Sequence, residues 1–154
     1  MSNMKQLIKK ILFFLFIIVV ILTSLSFAGT EKELSEIICK RIDTMGDFYK
    51  QKISYTDAIN ILSEIEKGRL LNADIDNLTL YYRTDLDRID EYEITNVKIT
   101  SQDSSIICAE ATILFKIQGL GNISTLRKEK NKFSYSLIFE KCDEKLYLVQ
   151  FIMS

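Results

Sequence analysis

The 154-residue chain predicts an α+β domain behind an apolar N-terminal segment, and three features predict it. Residues 11–29 form a nearly unbroken apolar run preceded by Lys5, Lys9 and Lys10. Residues 31–67 repeat apolar side chains at helical spacing. From residue 92 onward the repeat changes to alternation, the period of a half-buried strand. The expected order is a signal or anchor helix, two helices, an irregular stretch, and four antiparallel strands.

The N-terminal segment has two readings. Ser26 and Ala28 put small residues at the −3 and −1 positions of a cut before Gly29, as signal peptidase requires. Ile11 to Gly29 is also long enough to span a bilayer, for which about 17–25 residues suffice. Both readings keep the lysines inside and send the rest outside. The predicted parts are therefore residues 1–28, a signal peptide or membrane anchor, and residues 30–154, an extracytoplasmic domain. Cys39 lies too far beyond Ala28 for a lipid-modified cysteine.

Thr30 and Glu33 have the spacing of a capping box ahead of Leu34, Ile37, Ile38, Ile42, Met45, Phe48 and Tyr49, which share one helical stripe. This predicts a first helix over 31–51. Gly46 inside it costs roughly 1 kcal/mol against alanine, a cost that close packing there would offset. Ser54 and Asp57 repeat the cap, and Tyr55, Ala58, Ile59, Leu62 and Ile65 predict a second helix over 55–67 with Gly68 as its stop. Residues 69–90 mix signals: Asn77 to Arg83 alternates like a strand, whereas Arg69–Ala73 and Asp85–Ile89 look helical.

Tyr92, Ile94, Val97 and Ile99 predict a strand whose alternation slips by one residue, the mark of a bulge. Residues 101–105 form a turn. Ile107 through Ile117 alternate without a break, as do Phe133 through Phe139. Residues 141–145 form a hairpin turn, and Leu146–Met153 closes the sequence as a fourth strand. Short connections make the strands antiparallel neighbours. A loop 119–131 symmetric about Thr125 would set Cys108 opposite Cys142, so a disulfide between them is an expectation of that register.

The order of elements resembles the NTF2-like, or cystatin-like, α+β fold, and export behind one apolar segment resembles VirB8- and TcpC-type subunits of conjugation machinery. The resemblance covers roughly residues 31–153 and rests on element order. It implies a curved sheet wrapped on the helices around a cone-shaped pocket. It transfers no site residue, because the fold hosts enzymes, binding modules and assembly subunits alike.

Composition narrows the chemistry. With the three N-terminal lysines set aside, 17 basic residues face 21 acidic ones, which argues against a nucleic-acid partner. The chain has no histidine, which removes Ser-His-Asp and Cys-His arrangements and the commonest zinc ligand. Cys39, Cys108 and Cys142 lack metal-site spacing. Asp74, Asp76, Asp85, Asp87, Asp90, Glu91 and Glu93 read as a solvated acidic face in which Arg83 and Arg88 find partners; ADIDN lacks the third ligand and the glycine of a calcium loop. Tyr81, Tyr82, Tyr92, Tyr135 and Glu110 suit pocket chemistry by type only, with Glu110 expected on the outer face. The basic loop Arg127–Lys132 suits a solvated hairpin or an anionic membrane surface. Asn77 and Asn122 begin glycosylation sequons.

No catalytic, cofactor or metal residue is assigned. The expectation is a non-enzymatic extracytoplasmic domain, secreted or anchored to the cytoplasmic membrane. It would bind a protein partner or small ligand at the cell envelope, with membrane contact through residues 11–29 if they stay. The alternatives are a membrane-tethered subunit of a conjugation or transport complex and a small NTF2-like pocket enzyme.

Overall fold

Leu34, Ile37, Ile38, Ile42 and Phe48 fall on one helical stripe, and in the computed structural model all five are buried along one side of a helix. The structure describes the backbone of residues 2–80, 88–118 and 130–154, and the side chains of 9–18, 30–80, 91–116 and 131–154. The elements are α1 (Ser2–Tyr49), α2 (Tyr55–Ile65), α3 (Gly68–Leu80), β1 (Arg88–Gln102), β2 (Ile106–Gln118), β3 (Lys130–Cys142) and β4 (Lys145–Met153). The chain divides into two compact units, Met1–Glu33 and Leu34–Ser154.

In the first unit the expected start of a helix at residue 31 is not seen. α1 runs helical from Ser2, so Thr30 and Glu33 lie inside it and Thr30 is not its cap. The apolar run offers no proline to end a helix upstream. Its side chains from Ile11 to Ile18 are each 37–67% exposed. Among the described residues no helix is long and apolar enough to cross a membrane. The run's described side chains end at Ile18, and the expected cleavage site at Ala28 and Gly29 falls outside them.

The second unit is an α+β domain. β1-β2-β3-β4 is a four-stranded antiparallel meander in sequence order. The inward positions of β2 and β3 alternate as expected: Ile107, Ala109, Ala111, Ile113 and Phe115 face the core with Leu137 and Phe139. Leu148 of β4 and Leu62 of α2 are fully buried in the same cluster. Each such side chain contributes roughly 1.5–3 kcal/mol by leaving water. Glu110 is exposed on the opposite face, as expected.

β1 carries the expected bulge, between Ile94 and Asn96, and two more, between Ile89 and Glu91 and between Ile99 and Ser101. Thr95 and Thr100, the extra residues at two of them, donate their hydroxyls to the carbonyls of Thr112 and Cys108, both at 3.2 Å. The β1–β2 turn is held by Asp103, whose Oδ1 accepts from the amides of Ser105 (2.7 Å) and Ile106 (2.8 Å). Those bonds favour the ionised form and hold its carboxyl below the usual carboxylate range.

The β2–β3 register corrects the expected one. Cys108 lies opposite Ile138, and Cys142 opposite Lys145. The pairing centres two positions before Thr125, an even shift that leaves every inward side chain inward. Four residues along β3 separate Cys142 from the position facing Cys108, about 13 Å at strand spacing, well beyond disulfide reach. All three cysteines are free.

α2 begins as expected. Ser54 Oγ accepts from the Asp57 amide at 3.1 Å and the Asp57 carboxylate reaches back, a complete capping box. The helix ends earlier than expected, at Ile65, and Gly68 is not its stop: with φ of +64° it opens α3. α3 also overturns the strand reading of Asn77–Leu80, because Leu70, Leu71, Asp74 and Leu78 hold a helical face. The remainder of that alternating stretch, residues 81–83, lies outside the described residues.

α1 ends in a Schellman motif. The Lys52 amide donates to Asp47 O at 2.8 Å, the Gln51 amide to Phe48 O at 2.9 Å, and Gln51 has φ of +58°. Glycine would hold that conformation without a steric cost. Gly46, by contrast, sits in the last turn of α1 with nothing within 4 Å of an added Cβ, so no close packing explains it. Gly46→Ala is therefore expected to raise stability by about 1 kcal/mol. Gln51→Gly is expected to add about 0.5–1 kcal/mol by relieving the left-handed backbone, and Gly68→Ala to remove about 1 kcal/mol or more. Urea denaturation midpoints of the three variants check the signs; a loss for Gly46→Ala would mean that the helix needs its bend or mobility there.

Candidate functional site

Three charges lie on faces that ought to be apolar. Arg41 is four residues from both Ile37 and Met45 on α1. Glu66 follows Leu62 by four residues, and Asp74 stands midway between Leu70 and Leu78 on α3. Helical spacing turns Arg41 and Asp74 inward, and Glu66 enters from the extended cap of α2. The Arg41 side chain is 15% exposed, Asp74 2% and Glu66 0%, so the cluster is internal.

Its geometry is asymmetric. Arg41 Nε donates to Asp74 Oδ2 at 2.8 Å and Nη2 to Oδ1 at 2.9 Å, a two-pronged grip. The same Nε lies 2.9 Å from Glu66 Oε1 but is aimed at Asp74. Neither Glu66 oxygen receives a properly directed hydrogen bond. The guanidinium stacks over the Phe151 ring at 4.4 Å, and Tyr135 packs on Phe151 with ring centroids 4.4 Å apart.

Two carboxyls thus share one cation in the interior. Burial first, and the Asp74 charge second, push the Glu66 carboxyl up to about 8, against the opposing pull of Arg41; hydrogen bonding with Asp74 raises it further. Near neutral pH Glu66 is therefore the protonated member. Its O–H has one obvious acceptor, the Asp74 carboxylate, and that bond supplies the partner its oxygens otherwise lack. The cluster then carries one positive and one negative charge and no net charge.

The backbone places Glu66 with equal care. It caps α2 in an extended conformation, its amide donating to Leu62 O at 2.8 Å. It also forms a parallel bridge with Leu148, and the next amide, that of Lys67, donates to Leu148 O at 3.2 Å. Lys67 Nζ in turn sits 3.8 Å from the centre of the Tyr147 ring. The α2–α3 junction therefore lies along the outer edge of β4.

The residues singled out from sequence disperse. Asp74 is not on a solvated face; it is the best-paired acid of the core, because α3 is a helix and Asp74 lies on its apolar side. Asp76, Glu91 and Glu93 are exposed; Arg83, Asp85 and Asp87 fall outside the described residues, as do the side chains of Arg88 and Asp90. Tyr92 points inward and ties β1 to α1, its hydroxyl donating to Asp43 Oδ1 at 2.9 Å and approaching the Cys39 carbonyl at 3.4 Å. Burial, then hydrogen bonding with the Cys39 and Asp43 side chains, holds its phenol well above the usual range. Burial also raises Tyr135, against Arg41.

Tyr81, Tyr82, Asn122 and residues 127–130 of the basic loop lie outside the described side chains. The first sequon is helical, and its Thr79 hydroxyl is engaged with Ile75 O and Tyr55 Oη, both at 3.1 Å. Among the described residues no group of three or more acids or cysteines is placed to hold a metal ion. An open depression of about 240 Å³, lined by Glu91, Tyr92, Glu93, Leu114 and Lys116, is smaller than a usual ligand pocket.

Glu66 and Arg41 were not foreseen as partners. The signal was present, a charge at i+4 from core residues in each case, but it gains meaning only once α3 is seen to be a helix.

Comparison with known proteins gives a fold and no family. No family model matches the chain, and no curated protein matches it. Among solved structures, the intermembrane space region of chloroplast protein ARC6 matches with a TM-score of 0.51 at 12% identity, over 79% of this chain and 94% of that one. A de novo designed β-sheet protein matches with a TM-score of 0.41 at 10% identity, over 80% of this chain and 88% of that one. At 12% identity the first likeness shows the α+β fold alone, and neither protein is described as NTF2-like or VirB8-type.

Removing the shared cation leaves the buried Asp74 carboxylate without its counter-ion, so Arg41→Met is expected to cost about 3–5 kcal/mol in urea denaturation. Arg41→Lys should recover only part of that, because an ammonium cannot grip Asp74 through two parallel bonds. A loss under about 1 kcal/mol for Arg41→Met would show that the cluster does not hold the domain together.

Proposed function

We propose that the chain is an exported, non-catalytic domain that binds a protein partner or small ligand at the cell envelope, with an NTF2-like arrangement of helices and sheet. The observation that carries the export reading is the exposure of every side chain from Ile11 to Ile18, at 37–67% each, directly after Lys9 and Lys10. Eight consecutive large apolar residues exposed around a helix have no stable place in water. A bilayer, or the export machinery that removes such a segment, supplies the missing apolar surroundings. The likeness to a region that by its title belongs to an intermembrane space supports an envelope setting.

The binding reading follows from how the interior charges are used. The most perturbed carboxyl, Glu66, is spent on Arg41 and Asp74 inside the fold, where it serves packing. Recognition then falls to the surface and to the aromatic inner face around Tyr135 and Phe151.

Intact mass of the full-length chain, tagged at its C-terminus and recovered from culture supernatant, membranes and cytosol, tests the location. A supernatant species starting at Gly29, or a membrane species with its N-terminus intact, is expected, and the second outcome favours the tethered-subunit form. A full-length species confined to the soluble cytosol would overturn the reading. A membrane-impermeant lysine cross-linker on whole cells should add a discrete adduct above the 17.9 kDa chain; an exported chain that gives none leaves only the small-ligand form.

A further inference from the structure

We propose that a single proton shared between Glu66 and Asp74 acts as a latch that holds the α2–α3 junction on the outer edge of β4. Arg41 offers its directed hydrogen bonds to Asp74, and Glu66, with no exposure, has none for either oxygen. A carboxylate there has only the undirected contact with Arg41 at 2.9 Å and no hydrogen bond; a carboxylic acid is better placed, because it brings its own donor. The O–H of Glu66 then bonds to the Asp74 carboxylate, and Arg41 balances the one remaining negative charge.

Loss of the proton to water changes that balance. Two carboxylates then face one guanidinium, and the interior holds a net negative charge without a second cation. The groups facing the site from each packed element are few. α1 supplies Arg41, α3 supplies Asp74, and β3 supplies Tyr135, whose phenol stays neutral because burial raises it. β4 supplies the uncharged Phe151. Lys67, the next residue in the chain, is engaged with the Tyr147 ring, and Glu64 pairs with Lys40 at 2.6 Å on the surface. No second buried cation among the described residues replaces the proton.

The cheapest relief is local. Glu66 lies between two helices on a two-residue link, and that link meets β4 through the Leu148 bridge and the Lys67 amide bond. Moving the link outward carries the Glu66 carboxylate to water without unpacking β2 and β3. The sign follows from linkage. The ordinary value of 4.5 applies to the unfolded or released chain, and the latched value lies near 8. Between them the latched form binds more protons, so raising the pH across that window weakens the latch, and the weakening is complete above about pH 8. Lowering the pH restores it. The latch does not depend on the export reading; only its use does, since an extracytoplasmic domain meets a pH that the cell does not buffer.

Amide hydrogen exchange on the full chain, corrected for intrinsic base catalysis, tests the latch at single residues. Protection at Lys67 is expected to fall at least tenfold between pH 6 and 9, while amides of the β2–β3 ladder keep theirs. Glu66→Gln, which keeps a donor at every pH, should hold Lys67 protection constant over the same range. A parallel fall throughout the sheet, or a Lys67 amide indifferent to pH, overturns the proposal. Should Glu66→Gln fail to fold, the carboxyl carbon of Glu66 in the unaltered chain gives the same answer by NMR titration. A midpoint above pH 7 supports the shared proton, and one below pH 5 overturns it.

Discussion

One guanidinium among two buried carboxyls constrains everything around it. Arg41 reaches Asp74 on α3, Glu66 at the end of α2 and the ring of Phe151 on β4, so four elements meet at a single side chain. A buried ion pair of this kind adds little net stability over a well-packed apolar replacement. Its effect here is selective. The buried stripes of the three helices are built mostly from Leu and Ile, with Phe48 and Ala58, and apolar contacts alone tolerate a small rotation of one helix. Such a rotation would also leave Arg41, Glu66 or Asp74 inside the core without its partner, a penalty of several kcal/mol. The cluster therefore excludes near-alternative packings that apolar contacts alone leave close in energy.

Much of the fold was legible because its signals are local. The stripe from Leu34 to Tyr49, the capping box at Ser54 and the alternation from Ile107 to Phe115 each follow from side chains within a few residues, and each appears in the structure. The bulge near Thr95 was legible for the same reason, as a slip in a two-residue period. Three features were not. The β2–β3 register depends on where a long loop centres, and its flanking residues fit Cys108 opposite Cys142 and Cys108 opposite Ile138 equally well in facing. The helical state of Asn77–Leu80 is set against a local alternation, and it is this helix that turns Asp74 toward Arg41, a partner 33 residues away. The charge cluster depends on that helix, and without it Asp74 reads as a solvated acid.

Local backbone rules also give way to tertiary demands at specific points. Gly46 stands where a helix would take any good helix former, and Gln51, five residues on, holds the left-handed turn that glycine favours. Asp143 and Glu144, both at positive φ, make the tight β3–β4 connection without the usual Asn-Gly pair. In each case the neighbouring elements are held independently: α1 by its buried stripe, β3 and β4 by Leu137, Phe139 and Leu148. A connection between two well-anchored elements can carry a poor residue, because the anchors set its geometry.

The three bulges of β1 limit what the folded domain can do to its own kind. Between them the outer strand offers only two straight stretches, Glu91–Ile94 and Asn96–Ile99, of four residues each. Stacked cross-β assemblies are seeded by uninterrupted segments of about six or seven residues. The run Tyr92-Glu-Ile-Thr-Asn-Val-Lys-Ile-Thr100 has the composition of such a seed, yet no window within it lies flat for long enough to template a second copy. Fibril growth from this edge therefore requires β1 to leave the sheet first, and the Thr95 and Thr100 hydroxyls bound to β2 stand in the way of that step.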